Sequence, residues 1–183
     1  IPHLNSIVAD YAATGYEAVH YLYRMGCRNI GFLGSQKKLI PFQDRYIGYR
    51  RALEELQLEE RTLPSCFVGH SFEHGYQGTQ ELLFQFPQLD AVIASVDAQG
   101  LGALRLLKEQ KKGVPQEVRV ISLTGHAIGG FLETTMTAME LPSMAMGQNA
   151  ARMAIEDAQA TEGSPTAARR LVFSATLVER ESA

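Results

Sequence analysis

Asn29-Ile30-Gly31-Phe32-Leu33-Gly34 and Asp90-Ala91-Val92-Ile93-Ala94-Ser95 decide the fold. Each is a short, nearly continuous apolar run closed by a small residue. Each is followed by a stretch with helical spacing. A strand that is apolar at both odd and even positions must be covered on both faces, because successive side chains point to opposite sides of a sheet. A third such run, Val118-Arg119-Val120-Ile121-Ser122-Leu123, follows the turn Gly113-Val114-Pro115. Working outward, helical periodicity is read over residues 11–25, where Gly26 supplies a stop, and from Asp44 to Leu56. It recurs from His70 to Phe84, with Ser71 as a candidate N-cap, from Asp97 to Glu109 and from Met144 to Gln159. Leu63 to Gly69 holds a β-like run after Pro64, Thr135 to Leu141 reads as extended, and Leu171 to Val178 reads as the last strand. Residues 35–43, Thr124 to Gly130 and Thr161 to Ala168 read as connectors.

Strands alternating with helices give an α/β fold: a three-layer parallel sheet with right-handed crossovers. Ligands of such sheets sit beyond the carboxyl ends of the strands. The candidates are therefore Gly34 to Arg45, Gly69 to Phe72, Val96 to Asp97 and Thr124 to His126.

Composition narrows the function. Hydrophobic residues make up 45% of the 183 and charged residues 20%, enough to build a core. A formal net charge of −3 argues against a basic nucleic-acid surface in this segment. No apolar run approaches the ~20 residues of a membrane span. The chain does not open on Met or on a signal peptide, so a preceding segment is expected. Cys27 and Cys66 lack metal-ligand spacing. Two separate buried thiols in a reducing cytoplasm explain them better than a disulfide.

No enzyme signature emerges. Gly31 to Gly34 opens no dinucleotide fingerprint, and Gly125, Gly129 and Gly130 resemble a phosphate loop only in composition, without its lysine. There is no nucleophile, base and orienter set, and no cofactor is implied. His70 and His74 have i,i+4 spacing, but no third ligand accompanies them, so no metal is expected.

What remains is a set of binding residues. Arg45, at the head of a helix after a strand-end loop, offers a planar fork of donors to a diol, carboxylate or phosphate; alternatively it pairs locally with Asp44. Asp97 suits an N-cap of the next helix as well as a ligand contact. Phe72 and His70 could stack on an apolar ligand face, or Phe72 could be core. Thr124 and His126 supply a hydroxyl and an imidazole at a strand end, and His126 could equally cap a helix or sit exposed in a loop.

The ordered set resembles the effector-binding, periplasmic-binding-protein-like region of the lactose/galactose-repressor (LacI/GalR) family of transcription regulators. It comprises the segments quoted above, Asp44-Arg45-Tyr46-Ile47-Gly48-Tyr49, Met136-Thr137-Ala138-Met139, Met146-Gly147, Ala150-Ala151 and the ending Leu177-Val178-Glu179-Arg180-Glu181-Ser182. The resemblance implies that 1–141 form the C-terminal lobe. It implies that 142–168 are the crossover and helix that pack on the N-terminal lobe, and that 169–183 are the return strand and tail of the C-terminal lobe. It implies an effector site at Arg45, Phe72, His70, Asp97, Thr124 and His126, with a dimer surface on Leu101, Leu104 and the loop from Ile128 to Phe131. Two departures stand out. Val96 replaces an asparagine frequent in the family, and Thr124 replaces an aspartate that binds sugar hydroxyls in many members.

The implied function is a cytoplasmic, homodimeric regulator of carbohydrate-utilisation genes, a repressor, with no catalytic activity. A sugar or sugar phosphate would bind between two lobes and shift the spacing of headpieces on operator DNA. Headpiece, hinge and the first half of the N-terminal lobe are expected outside these residues. A periplasmic sugar-binding protein shares the fold and is the alternative; a doubly wound enzyme is a more distant one.

Overall fold

The computed structural model describes residues 4–35, 39–58, 65–159 and 168–183. Its main sheet has six strands: β2 (Ile30–Ser35), β3 (Ser65–Val68), β4 (Ala91–Ala94), β5 (Arg119–Ser122), β6 (Thr137–Glu140) and β8 (Thr176–Val178). They lie in the order β3-β2-β4-β5-β6-β8. All pairs are parallel except β6 with β8. A separate two-stranded sheet pairs β1 (Ser6–Ala9) with β7 (Arg170–Phe173), also in parallel.

The apolar runs behave as their patterning requires. Ile30, Phe32, Ile93 and Ile121 face α1 (Tyr11–Arg24) and α2 (Ile40–Glu55), in a core with Val19, Leu22, Tyr49 and Leu53. Their neighbours Leu33, Val92, Ala94 and Val120 face α3 (Phe72–Gln85) and α4 (Asp97–Glu109), in a core with Leu82, Leu106 and Leu107. The two cysteines fall in different cores, Cys27 in the first and Cys66 in the second, and both are free thiols. Burial pushes each thiol up to about 11, which keeps it protonated and unreactive.

Both helix pairs cross on glycine. A Cβ on Gly48 of α2 would sit on the Ala12 carbonyl oxygen of α1, and one on Gly15 would sit on the Arg45 carbonyl oxygen. Likewise a Cβ on Gly102 of α4 would lie 2.5 Å from the Tyr76 nitrogen of α3, and one on Gly75 would lie 2.6 Å from the Gln99 carbonyl carbon. The helices of each pair thus meet backbone to backbone.

Three element readings change. The helix expected from Asp44 begins at Ile40, because Pro41 fits the first turn, where its missing N–H costs no hydrogen bond. The helix expected from His70 begins at Phe72, because the Ser71 hydroxyl caps it by accepting from His74 N, 3.3 Å away. His70 and His74 therefore do not share a helix face. The run Leu171 to Val178 is two strands, β7 and β8, in different sheets. β1, grouped by sequence with the rest of 1–141, pairs with β7, and α5 (Ser143–Gln159) packs on it. Leu63, Pro64 and most of the connector Thr161 to Ala168 lie outside the described residues.

The terminal segment is a clasp. Ser182 is buried between β5 and β6: its Oγ donates to Val120 O (2.6 Å) and accepts from Thr137 N (2.9 Å). Its carbonyl accepts from Val120 N at 2.8 Å, and Arg180 bridges Met136 O and the Glu140 carboxylate.

Candidate functional site

β3 and β4 leave β2 on opposite sides, so the topological switch point lies at the carboxyl ends of β2 and β4. The six expected site residues all sit along this edge, in three groups.

Arg45 lies in the second turn of α2, 4% exposed. One guanidinium nitrogen donates to Ser95 O, just past β4, at 3.0 Å. The guanidinium carbon is 4.8 Å from the Tyr11 ring centroid and 5.9 Å from that of Phe42. Its Nε, buried, has no hydrogen-bond partner among the described residues. No carboxylate forms an ion pair with Arg45 among those residues, so the local pairing with Asp44 is not what holds it. Burial draws its pKa below the ordinary arginine value, opposed by Tyr11 and by the charge of Asp97. A buried cation with spare donor capacity is a recognition group for an electron-rich partner.

Asp97, Thr124 and His126 form the second group. Asp97 is the first residue of α4 and not its cap; Val96 holds the N-cap position. The Asp97 carboxylate instead receives Ser122 Oγ, Gly125 N (3.1 Å), His126 N (2.8 Å) and the His126 Nδ1 edge. Burial raises its pKa, but the bonds from Ser122 and His126 outweigh that, and the net shift is below the usual aspartate range. Thr124 Oγ1 accepts from Asp97 N at 3.0 Å. The side chain of His126 is 74% exposed, which leaves its imidazole open to a ligand. Asp97 is thus the anchor that shapes the β5 loop and presents His126.

The third group follows β3. His70 lies with its ring 6.3 Å from that of Phe42, and Phe72, 40% exposed, is not core. Phe67 on β3 meets Tyr46 edge-on at 4.8 Å, so aromatic rings continue along this side.

A cavity of about 750 Å³ flanks Arg45 on the side of the small sheet, lined by Val8, Tyr11, Ile40, Asp44 and Arg170 among others. None of the six expected residues lines it. Tyr11, which does, follows β1, a strand that the sequence pattern does not reveal; by the strand-end rule it qualifies as a candidate. Gln99 lies outside the expected set too. It is wholly buried at the third position of α4, and its Oε1 accepts from Val96 N at 3.3 Å, as a capping-box glutamine does. That spacing was its signal.

The expected dimer residues lie elsewhere. Leu101 and Leu104 are half-buried and line a groove of about 340 Å³ with Val114 and Leu132. Ile128, 55% exposed, and Phe131, 85% exposed, lie on the nearby 3₁₀ turn Ala127–Phe131.

Among the described residues no group of His, Cys, Asp and Glu could hold a metal ion, and no helix is long and apolar enough to cross a membrane.

Comparison with known proteins gives a consistent picture. A model of the periplasmic binding protein-like domain matches residues 19–183. The regulator CelR of Thermobifida fusca is 31% identical over 174 residues, 94% of this chain and 50% of the relative. The ribose operon repressor of Halalkalibacterium halodurans is 26% identical over 165 residues, 90% of this chain and 48% of the relative. The solved complex of CelR with cellobiose superposes with a TM-score of 0.89 at 28% identity, covering 100% of this chain and 55% of that one. The chain spans about half the length of these curated relatives.

Proposed function

Because the chain belongs to the periplasmic binding protein-like domain family and its relatives are transcription regulators, we propose that it is the sugar-sensing part of a LacI-family regulator. The observation that carries this reading is Arg45: a buried guanidinium at the switch point, its Nε without a partner among the described residues, in an aromatic surround. Its effector is a sugar, held by Arg45 and His126 and faced by the rings near His70 and Phe72. The six-stranded sheet with α1 to α4 is assigned to the C-terminal lobe. β1, β7 and α5 are assigned to the N-terminal lobe, so the cavity beside Tyr11 lies between the two.

Effector binding selects one lobe arrangement and thereby alters operator binding by a homodimer in the cytoplasm. Leu101, Leu104, Ile128 and Phe131 form the dimer face. The relatives are regulators rather than transport proteins or enzymes, which favours this reading over a periplasmic binding protein and over a catalyst. Ser122 Oγ, which like the His126 ring edge meets the Asp97 carboxylate, is committed to Asp97 and is not a nucleophile poised on a base.

The test is a thermal-shift screen of the full-length protein against cellobiose, ribose and other sugars and sugar phosphates. A sugar at one hundred times its dissociation constant stabilises by roughly 2.7 kcal/mol, which raises Tm by about 3–5 °C in a protein of about twice this length. Arg45→Met should abolish the shift while changing the stability of the free protein by only about 1 kcal/mol, since it exchanges a buried cation for one unpaired carbonyl. A full shift retained in Arg45→Met would refute the assignment.

A further inference from the structure

Gln99 has no exposed surface, yet its side chain makes four hydrogen bonds to three strand ends. Nε2 donates to Gly34 O at the end of β2 (3.0 Å) and to Gly69 O after β3 (2.9 Å). Oε1 accepts from Ser95 Oγ after β4 (2.9 Å) and from Val96 N (3.3 Å). Two donors and two acceptor sites are everything a primary amide has, and all are used. Helix capping needs only the Val96 bond. The bonds to Gly34 and Gly69 serve no cap; they join loops that are distant in the chain. From the other side α3 rests on the Gln99 backbone at Gly75, with no room between them for a methyl group. Ser95, held through its hydroxyl by Gln99, gives its carbonyl to Arg45. The loop after β3, held through Gly69, carries His70 and leads to Phe72.

We propose that Gln99 is the positioning residue of the effector cleft: it locks the ends of β2, β3 and β4 into one body and so sets Arg45, His70 and Phe72 relative to each other without touching the effector. The proposal rests on reading this edge as the effector site. An apolar side chain would fill the same space without the cost of burying an amide. What the amide adds is a fixed geometry among three loops.

Amide hydrogen exchange on the full-length protein tests it. Gln99→Met keeps the volume and removes every polar bond. Exchange should accelerate at least tenfold in segments 31–35, 66–75 and 94–100 together, with β5 and β6 unchanged. Gln99→Glu keeps the acceptor but turns a carboxylate toward two carbonyl oxygens. It should loosen the same three segments at pH 8 and regain protection towards pH 5, as the protonated acid recovers one donor; wild type and Gln99→Met show no such recovery. Loosening confined to the first turn of α4, or equal in both variants at every pH, would overturn the proposal. Should Gln99→Met fail to fold, the pH reversal in Gln99→Glu decides.

Calorimetric titration with cellobiose and with ribose adds the functional arm. Whichever binds wild type should bind the variants at least tenfold more weakly, and unchanged affinity with loosened loops would remove the cleft role. If wild type binds neither, the sugar-sensing reading loses support while the exchange pattern still decides whether Gln99 fastens the loops.

Discussion

Gly48→Ala tests whether the α1–α2 crossing holds Arg45 in place. The added methyl would sit on the Ala12 carbonyl oxygen, 2.8 Å from its carbon and 2.9 Å from Tyr16 N. Carbon contacts are most favourable at about 3.5–4.0 Å, so the helices must part by about 1 Å. Both partners are backbone, so no side chain can rotate away. Overpacking of this kind costs about 1–3 kcal/mol, and a clash with two rigid backbones belongs at the upper end. Alanine returns roughly 0.5–1 kcal/mol of helix propensity. The net expectation is a loss of about 2 kcal/mol, a fall in Tm of about 4–8 °C for a chain of this size. Gly147→Ala, in exposed α5 with nothing near its Cβ, is the control. It should gain roughly 0.5–1 kcal/mol. Thermal unfolding followed by far-ultraviolet circular dichroism reads both. If Gly48→Ala is as stable as wild type, or rises together with Gly147→Ala, the backbone crossing does not constrain α2 and the argument fails.

Ser182→Ala should cost about 1–3 kcal/mol, because Thr137 N and Val120 O are left unpaired in the interior; urea denaturation measures it, and an unchanged midpoint would deny the clasp its role. Asp97 has a folded pKa below its unfolded value near 4, so its contribution is complete at neutral pH and lost as pH falls below about 4. Asp97→Asn should lower stability at pH 7 by about 2 kcal/mol and flatten the acid limb of the stability curve, and a limb as steep as wild type would count against it. Leu104→Glu, placed in the groove beside Leu101 and Leu132, should shift the proposed dimer to monomer in sedimentation; a persistent dimer would move the interface elsewhere.

Local pattern determined a good deal of this protein. Continuous apolar runs fixed the parallel sheet, because β2, β4 and β5 supply alternate residues to two cores. Ser71 marked a helix start, and the strand-end rule brought Arg45, His70, Asp97, Thr124 and His126 to one edge. Periodicity reports which face of an element is buried, and that is a property of neighbouring residues. It does not report which backbone an element pairs with. Only the tertiary structure joined Ser6–Ala9 to Arg170–Phe173, split Leu171 to Val178 between two sheets, and, through the α1–α2 crossing, brought Tyr11 beside Arg45. The same holds for polar groups. Asp97 looked like a cap because its near neighbours suited one, but its partners come from Ser122 to His126 on the next strand end. Gln99 carries no sequence signal beyond its capping-box spacing, yet its donors find carbonyls on two other loops. A hydrogen bond is satisfied by whatever group the fold brings within about 3 Å, and that proximity exists only once the sheet order is set.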